Sequence, residues 1–402
     1  MMNEPTIGRE EFRERIRRIQ ELMVAERLDG LMVYGDEYRK ENLRYVSNFW
    51  PIFERGACFI PRHGAPILAG APEGEQYARE MSVIEDIRNI KEFACVTVPE
   101  EIEYPLAKFS SLREILSEIL GNGKRLGLVG RWDISAPVYE RICQAVEGLE
   151  IIDAASLLWK IRLVKSAAEI ACLKEAGRIA CAGYRELLRA AVPGATELQA
   201  AGAAEGASRR AGAEAITFMV FGSGRRADTI IGRPTNKIIC DGEMVMAALA
   251  VQYQGYVATA EFPFVAGRAT GGQKRFLDAF FEAADVQMRF LKDGTVMGEM
   301  VRAVKDVFKR HNLSAYDVYP PMHGIGLAEA ESPYPDANTV ELFRAGMCVN
   351  SDISLFGHPD GSNRLEEGFV ITARGPESIT PYIRQLVEKR LVCTDEFNQG
   401  GK

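Results

Sequence analysis

Four stretches in the second half of the chain set acids or an imidazole in apolar surroundings. GEMVMAALAVQYQGYVATAEFPFVAG (242–267) carries Glu261 in a run that reads as strand. Alternation there places Val257, Thr259 and Glu261 on one face, and Tyr256, Ala258, Ala260 and Phe262 on the other. MHGIGLAEAESP (322–333) carries His323, followed by glycines that permit close backbone approach. GMCVNSDISLFG (346–357) holds Asp352 inside an otherwise neutral strand, and RLEEGFVITARG (364–375) holds Glu366 just before an apolar run. One imidazole and three carboxylates are the makings of an acid/base cluster or of a hard-metal site. Each also has a plain structural reading. Asp352 could form a turn after Asn350 and Ser351, Glu366 beside Glu367 could open a solvated strand, and His323 could be a packed residue beside glycine.

The elements that must position these residues are legible around them. Phe12, Ile16, Ile19 and Met23 recur at helical spacing and predict an amphipathic helix over 9–28. DGLMVYG (29–35) and RLGLVGR (125–131) read as buried strands, with a helical stretch over 106–120 between them, so residues 1–160 form an α/β domain. Ser166 and Glu169 make a capping box that opens a helix with an inner stripe of Ile170, Leu173, Gly177 and Tyr184. PGATELQ (193–199) leads into a second helix and then strands through the 240s and 250s. A helix over 272–292, DGTVMGEM (293–300), another helix and strands from 345 repeat the pattern. Residues 161–402 therefore form a domain of two similar halves, with a cleft between halves as the natural place for a site.

The composition is that of a soluble globular chain: 402 residues, 47% hydrophobic and 26% charged. A formal net charge of -7 gives no electrostatic reason to expect nucleic acid or an anionic membrane as partner. No apolar run approaches the ~20 residues of a membrane span, and MMNEPTIGREEF lacks the apolar centre of a signal peptide. Eight cysteines without a CxxC pair suit reduced thiols in a cytoplasm better than a disulfide framework or a zinc knuckle.

Taken in order and spacing, the motifs resemble the creatinase and aminopeptidase P superfamily, the pita-bread fold. RYVSNF (44–49) resembles a segment of its N-terminal domain, and KIRLVKSAAEIACLKEA (160–176) the helix opening its catalytic domain. GRPTNKIICDGEMV, QGYVATAEF, HGIGLAEAESP, GMCVNSDIS and RLEEGFVIT follow in family order. The resemblance implies a two-domain α/β chain, with an N-terminal creatinase-like α/β domain and a C-terminal α+β domain of pseudo-twofold halves. Metal-dependent members carry two Asp, one His and two Glu as ligands. Here the two Asp positions are Ala248 and Thr259, the His is His323, and the Glu positions are Asp352 and Glu366. Two further family histidines correspond to Ile231 and Ala330.

In the family's metal-free branch, the creatinases, a Glu stands six residues after the Gly of the GY pair, which from Gly255 is Glu261. This resemblance makes a metal-independent, creatinase-like hydrolase of a C–N bond the leading expectation, without cofactor, acting on a small cationic or zwitterionic metabolite. In that reading Glu261 and Asp352 orient and activate, His323 shuttles the proton and Glu366 orients it. Thr259 joins Trp50, Phe53 and Arg55 of SNFWPIFERGACF in binding substrate, the last three by reaching a partner subunit's cleft in a cytoplasmic homodimer. The alternatives are a mononuclear Xaa-Pro aminopeptidase or dipeptidase using His323, Asp352 and Glu366, and a non-catalytic binding protein on the same fold.

Overall fold

The computed structural model describes residues 4–94 and 108–399. Its contacts divide the chain into a unit of Ile7–Arg162 and a second of Leu163–Lys402 that includes the stretch before Ile7.

In the first unit the amphipathic helix spans Arg9–Ala25 and buries Phe12, Ile16, Ile19 and Met23, the stripe read from the sequence. The strands among the described residues are β1 (Gly30–Asp36), β2 (Arg55–Pro61), β3 (Ile67–Gly70), β4 (Asp86–Ile90), β5 (Phe109–Ser110), β6 (Arg125–Val129) and β7 (Glu150–Asp153). They form one sheet in the order β5-β4-β3-β2-β1-β6-β7. Pairing is antiparallel through β1, β2 and β3 and parallel elsewhere. The helix expected over 106–120 runs Leu112–Leu120, capped by a Ser111–Glu114 box, while 106 and 107 lie outside the described residues.

The second unit is built on an antiparallel sheet of β8 (Ala215–Ser223), β9 (Met244–Tyr253), β10 (Tyr256–Glu261), β11 (Phe264–Val265), β12 (Met322–Gly324), β13 (Cys348–His358), β14 (Gly361–Thr372) and β15 (Gly375–Ser378). The central path is β9-β10-β14-β13-β12. The Ala167–Ala190 helix is opened by the Ser166–Glu169 capping box and buries Leu173, Gly177 and Tyr184. The Tyr184 hydroxyl lies 3.0 Å from both the Ala247 and Phe262 carbonyl oxygens and accepts the Phe262 N–H at 2.8 Å, so this helix fixes β9 and the end of β10 where Glu261 sits. Among the described residues no helix is long and apolar enough to cross a membrane.

The two halves repeat to the level of single hydrogen bonds. In the first, Gly194 N–H donates to Ile239 O, Ile239 N–H to Ala195 O, and Glu197 N–H to Lys237 O. In the second, Gly294 N–H donates to Phe343 O, Phe343 N–H to Thr295 O, and Met297 N–H to Glu341 O. Gly194 and Gly294 both sit at positive φ, 93° and 82°, the turn conformation that other side chains resist. The helices that follow are Glu197–Arg210 and Met297–Arg310.

One difference between the halves bears on function. Glu197, fully buried at the start of its helix, accepts from Ser223 N and Oγ, Arg226 Nε, and Thr235 N and Oγ1. These bonds tie the end of β8 and the 3₁₀ turn Gly224–Thr229 to the segment around Thr235. Removing that carboxylate strands several buried donors at once. Glu197→Ala is expected to cost about 3 kcal/mol of stability, a fall in Tm of roughly 6–12 °C, measured by thermal unfolding against wild type.

Candidate active site

Strand register brings the sequence-predicted acids into one row. Ala248 on β9 pairs with Glu261 on β10, Glu261 with Glu366 on β14, and Glu366 with Asp352 on β13. Residues directly opposite across neighbouring strands share a face, so three carboxylates line up side by side. One strand further out, His323 on β12 is opposite Asn350. Gly324 after it is required by space, because a Cβ there would meet the Ser332 carbonyl oxygen at 2.2 Å.

Each acid has a different environment. Asp352 Oδ1 accepts from Ser354 Oγ at 2.6 Å and faces Arg364 Nε at 3.1 Å. Glu366 Oε2 accepts from Asn350 Nδ2 at 2.5 Å, and its other oxygen is 3.5 Å from Arg364 Nη1. Glu261 is 0% exposed, and neither carboxyl oxygen has a hydrogen-bond partner among the described residues. Arg364 is buried, with its guanidinium carbon 5.0 Å from the Tyr319 ring centroid and 5.6 Å from that of Phe356. Sequence reasoning missed it, although it begins the RLEE motif itself.

Burial dominates the electrostatics. It pushes Glu366 up to about 8, helped by Asp352 and Glu329 and opposed by Arg364 and His323. Burial also holds Glu261 well above the usual carboxylate range. Arg364 opposes that shift, while Glu366 and Asp352 add to it. For His323 burial acts to lower its value, yet the nearby Glu329 and Glu366 carboxylates and the Gly324 carbonyl carry it above the usual histidine value. Its Nδ1 lies 3.0 Å from Gly324 O, an arrangement that assigns the proton to Nδ1 and leaves Nε2 facing Glu329, 3.7 Å away.

His323, Glu329, Asp352, Arg364 and Glu366 line a cleft of about 950 Å³. Glu261 is buried beside Glu366 and is not part of that lining, so it acts on the cleft through Glu366. Thr259 is likewise buried, and its Oγ1 donates to Glu329 Oε1 at 3.2 Å. Trp50, Phe53 and Arg55 belong to the first unit. There the Trp50 indole N–H donates to Glu37 O, Phe53 is exposed at φ 61°, and Arg55 opens β2 opposite Asp36.

One imidazole nitrogen and two carboxylate oxygens, from His323, Glu329 and Glu366, lie within 4.8 Å of one another. The triad read from the sequence had Asp352 in place of Glu329. Asp352 lines the same cleft with its Oδ1 taken by Arg364 and Ser354, and Glu329, which converges with His323 and Glu366, is the acid that sequence reasoning missed. Its signal was the first acid in LAEAE, two residues before Glu331, which is itself bound to the buried Lys165 at 2.8 Å.

This donor set fits one divalent ion. With Glu261 protonated, the ion and Arg364 would balance the charges of Glu329, Asp352 and Glu366. It does not fit a pair of ions, because Ala248 and Thr259 offer no carboxylate at the two aspartate positions.

A two-domain chain whose antiparallel sheet carries such a cluster at one cleft defines the pita-bread class of the creatinase and aminopeptidase P superfamily. Residues 171–373 match metallopeptidase family M24, and residues 15–164 match the creatinase/prolidase N-terminal domain. The chain belongs to metallopeptidase family M24. It is 24% identical over 365 residues to an Xaa-Pro dipeptidase of Pyrococcus furiosus, covering 90% of this chain and 100% of that one. It is 26% identical over 265 residues to an uncharacterized peptidase of Bacillus subtilis, YqhT, covering 66% of this chain and 75% of that one. An Xaa-Pro dipeptidase structure from Bacillus anthracis superposes with a TM-score of 0.76 at 23% identity, over 92% of this chain and 97% of that one.

These relatives overturn the leading expectation of a metal-independent, creatinase-like C–N hydrolase with Glu261 at its centre. Full-length similarity runs to Xaa-Pro dipeptidases. The physical reason that reading failed is that it weighed Ala248 and Thr259 as non-ligands and did not see Glu329 enter the cluster.

The raised carboxyls give a pH signature for the protein without added metal. For Glu366, between the unfolded value near 4.5 and the folded value of about 8, the folded chain keeps a proton that the unfolded chain has released, and Glu261 is raised in the same direction by its burial. Stability therefore falls as pH rises through that window. Glu261→Gln, which cannot ionise, is expected to fall less steeply. Recovery of ~1 kcal/mol would raise its Tm over wild type by about 2–4 °C at pH 8, with the gap closing near pH 4, as read by thermal unfolding at both pH values.

Proposed function

We propose that the protein is a metal-assisted peptidase acting on small Xaa-Pro peptides, with a single divalent ion held by His323 Nε2, Glu329 and Glu366. The observation that supports this reading is the convergence of those three donors on one cleft of a family M24 chain. The activity for which the full-length relatives are named, Xaa-Pro dipeptidase, supplies the substrate class.

When bound, a divalent ion at this position polarises the scissile carbonyl and makes water a stronger nucleophile. The chain's own groups prepare the site. The Gly324 carbonyl fixes the His323 tautomer, so Nε2 offers its lone pair to the cleft. Asn350 orients Glu366 through Oε2, and Arg364 offsets the charge that Glu366 acquires on losing its proton. Glu261 keeps its own proton and adds no further charge to that balance. Thr259 holds Glu329 toward the site.

The assembly we propose is a homodimer in the cytoplasm. The cytoplasmic location is in keeping with seven free cysteines among the described residues. The replacement of two family imidazoles by Ile231 and Ala330 supports a second reading, a binding protein that uses the same cleft without turnover.

Metal analysis of protein purified without chelator, followed by titration with manganese and zinc, tests the assignment. About one ion per chain is expected, with affinity falling by more than about 100-fold in His323→Ala and Glu329→Gln, which remove ligands themselves, and retained in Asp352→Asn. Cleavage of an Xaa-Pro dipeptide should disappear on chelation and return with metal. Neither stoichiometric metal nor cleavage would end the peptidase reading in favour of the binding protein.

A further inference from the structure

The cleft that holds the His323 cluster also has a wall made by β8 and by the segment after the 3₁₀ turn. Ile216, Phe218 and Leu198 line it together with Ile231 and Arg233. Ile231 is 74% exposed although its side chain is wholly apolar. It follows Ile230, a β-branched residue at φ 63°, a backbone conformation that such side chains rarely adopt. The chain accepts this strain where it turns Ile231 and Arg233 toward the cleft.

Two guanidiniums line the cleft. Arg364 is engaged by Asp352 and Glu366. The side chain of Arg233 has no ion pair or hydrogen bond among the described residues, although Glu205 and Glu329 line the same cleft. The Arg233 backbone is nevertheless held firmly. Its carbonyl accepts from Arg226 Nη2 at 2.7 Å, Pro234 follows, and Thr235 is fixed by the buried Glu197. An unpaired guanidinium on an anchored backbone, beside an apolar wall and in the same cleft as a carbonyl-activating cluster, matches a particular ligand chemistry. That chemistry is a short peptide with an apolar side chain and a free carboxylate.

We propose that Arg233 binds the terminal carboxylate of the substrate and, with the apolar wall, restricts the site to short free-acid peptides. This rests on the peptidase reading for the substrate class, and the experiment separates the two. Leu-Pro and its C-terminal carboxamide are titrated calorimetrically into chelator-treated protein, where no turnover occurs, and both are then assayed for cleavage by the metal-loaded protein.

Wild type is expected to bind the free acid at least about tenfold more tightly than the amide. Arg233→Met should bind the two equally, and Arg233→Lys should recover part of the preference. In turnover the loss in Arg233→Met should appear in KM, with kcat nearly unchanged, which a merely structural defect would not produce. An acid preference that survives in Arg233→Met, equal binding of acid and amide by wild type, or no binding of either would overturn the proposal. Acid-selective binding that depends on Arg233, with no cleavage by the metal-loaded protein, would sustain it while removing the peptidase reading. Cleavage without acid preference would do the reverse.

Discussion

Burying three carboxylates side by side on one sheet is the constraint around which the second unit is organised. Glu261, Glu366 and Asp352 meet because β10, β14 and β13 pair in one register. Left ionised together they would oppose folding by many kcal/mol. Arg364 relieves part of this by facing both Asp352 and Glu366, and protonation of Glu261 relieves more. Much of the surrounding structure serves that compromise. Ser354 and Asn350 satisfy individual oxygens, Tyr319 and Phe356 flank the guanidinium, and Tyr184 pins the strand end that carries Glu261.

The duplicated architecture explains where the cleft's second wall comes from. Each half begins with a glycine turn whose backbone bonds are copied in the other half, yet only the first places a glutamate at the opening of its helix to gather in a distant segment. The position equivalent to Glu197 is Met297, which is buried and apolar. Symmetry supplies the frame, and its breaking supplies a fixed rim on one side of the site.

The fold was legible because its signals are local. The Ser166–Glu169 capping box, the alternation on β10 and the paired glycine turns each follow from a few neighbouring residues, and together they outline the elements of both units. The row of acids was legible residue by residue but not as a row, since opposition across strands depends on register. Glu329 and Arg364 escaped for different reasons. Glu329 lies in an irregular loop where no periodicity predicts its direction, and Arg364 reads as one more charge beside an acidic pair until its burial is seen. That Asp352 faces Arg364 through Oδ1 is likewise a matter of distances that spacing along the chain does not encode.

The pairing of Ala248 with Glu261 also constrains the steps by which a two-ion centre could be built on this sheet. An aspartate placed at position 248 alone would arrive directly opposite a fully buried glutamate, before a second cation could find enough ligands to stay. The intermediate would carry two adjacent sealed acids and fold poorly. Glu261 would have to leave first, and its departure by itself confers no new ligand. The order of substitutions therefore matters, and Glu261 works as a ratchet that keeps two-ion chemistry out of reach of any single mutation.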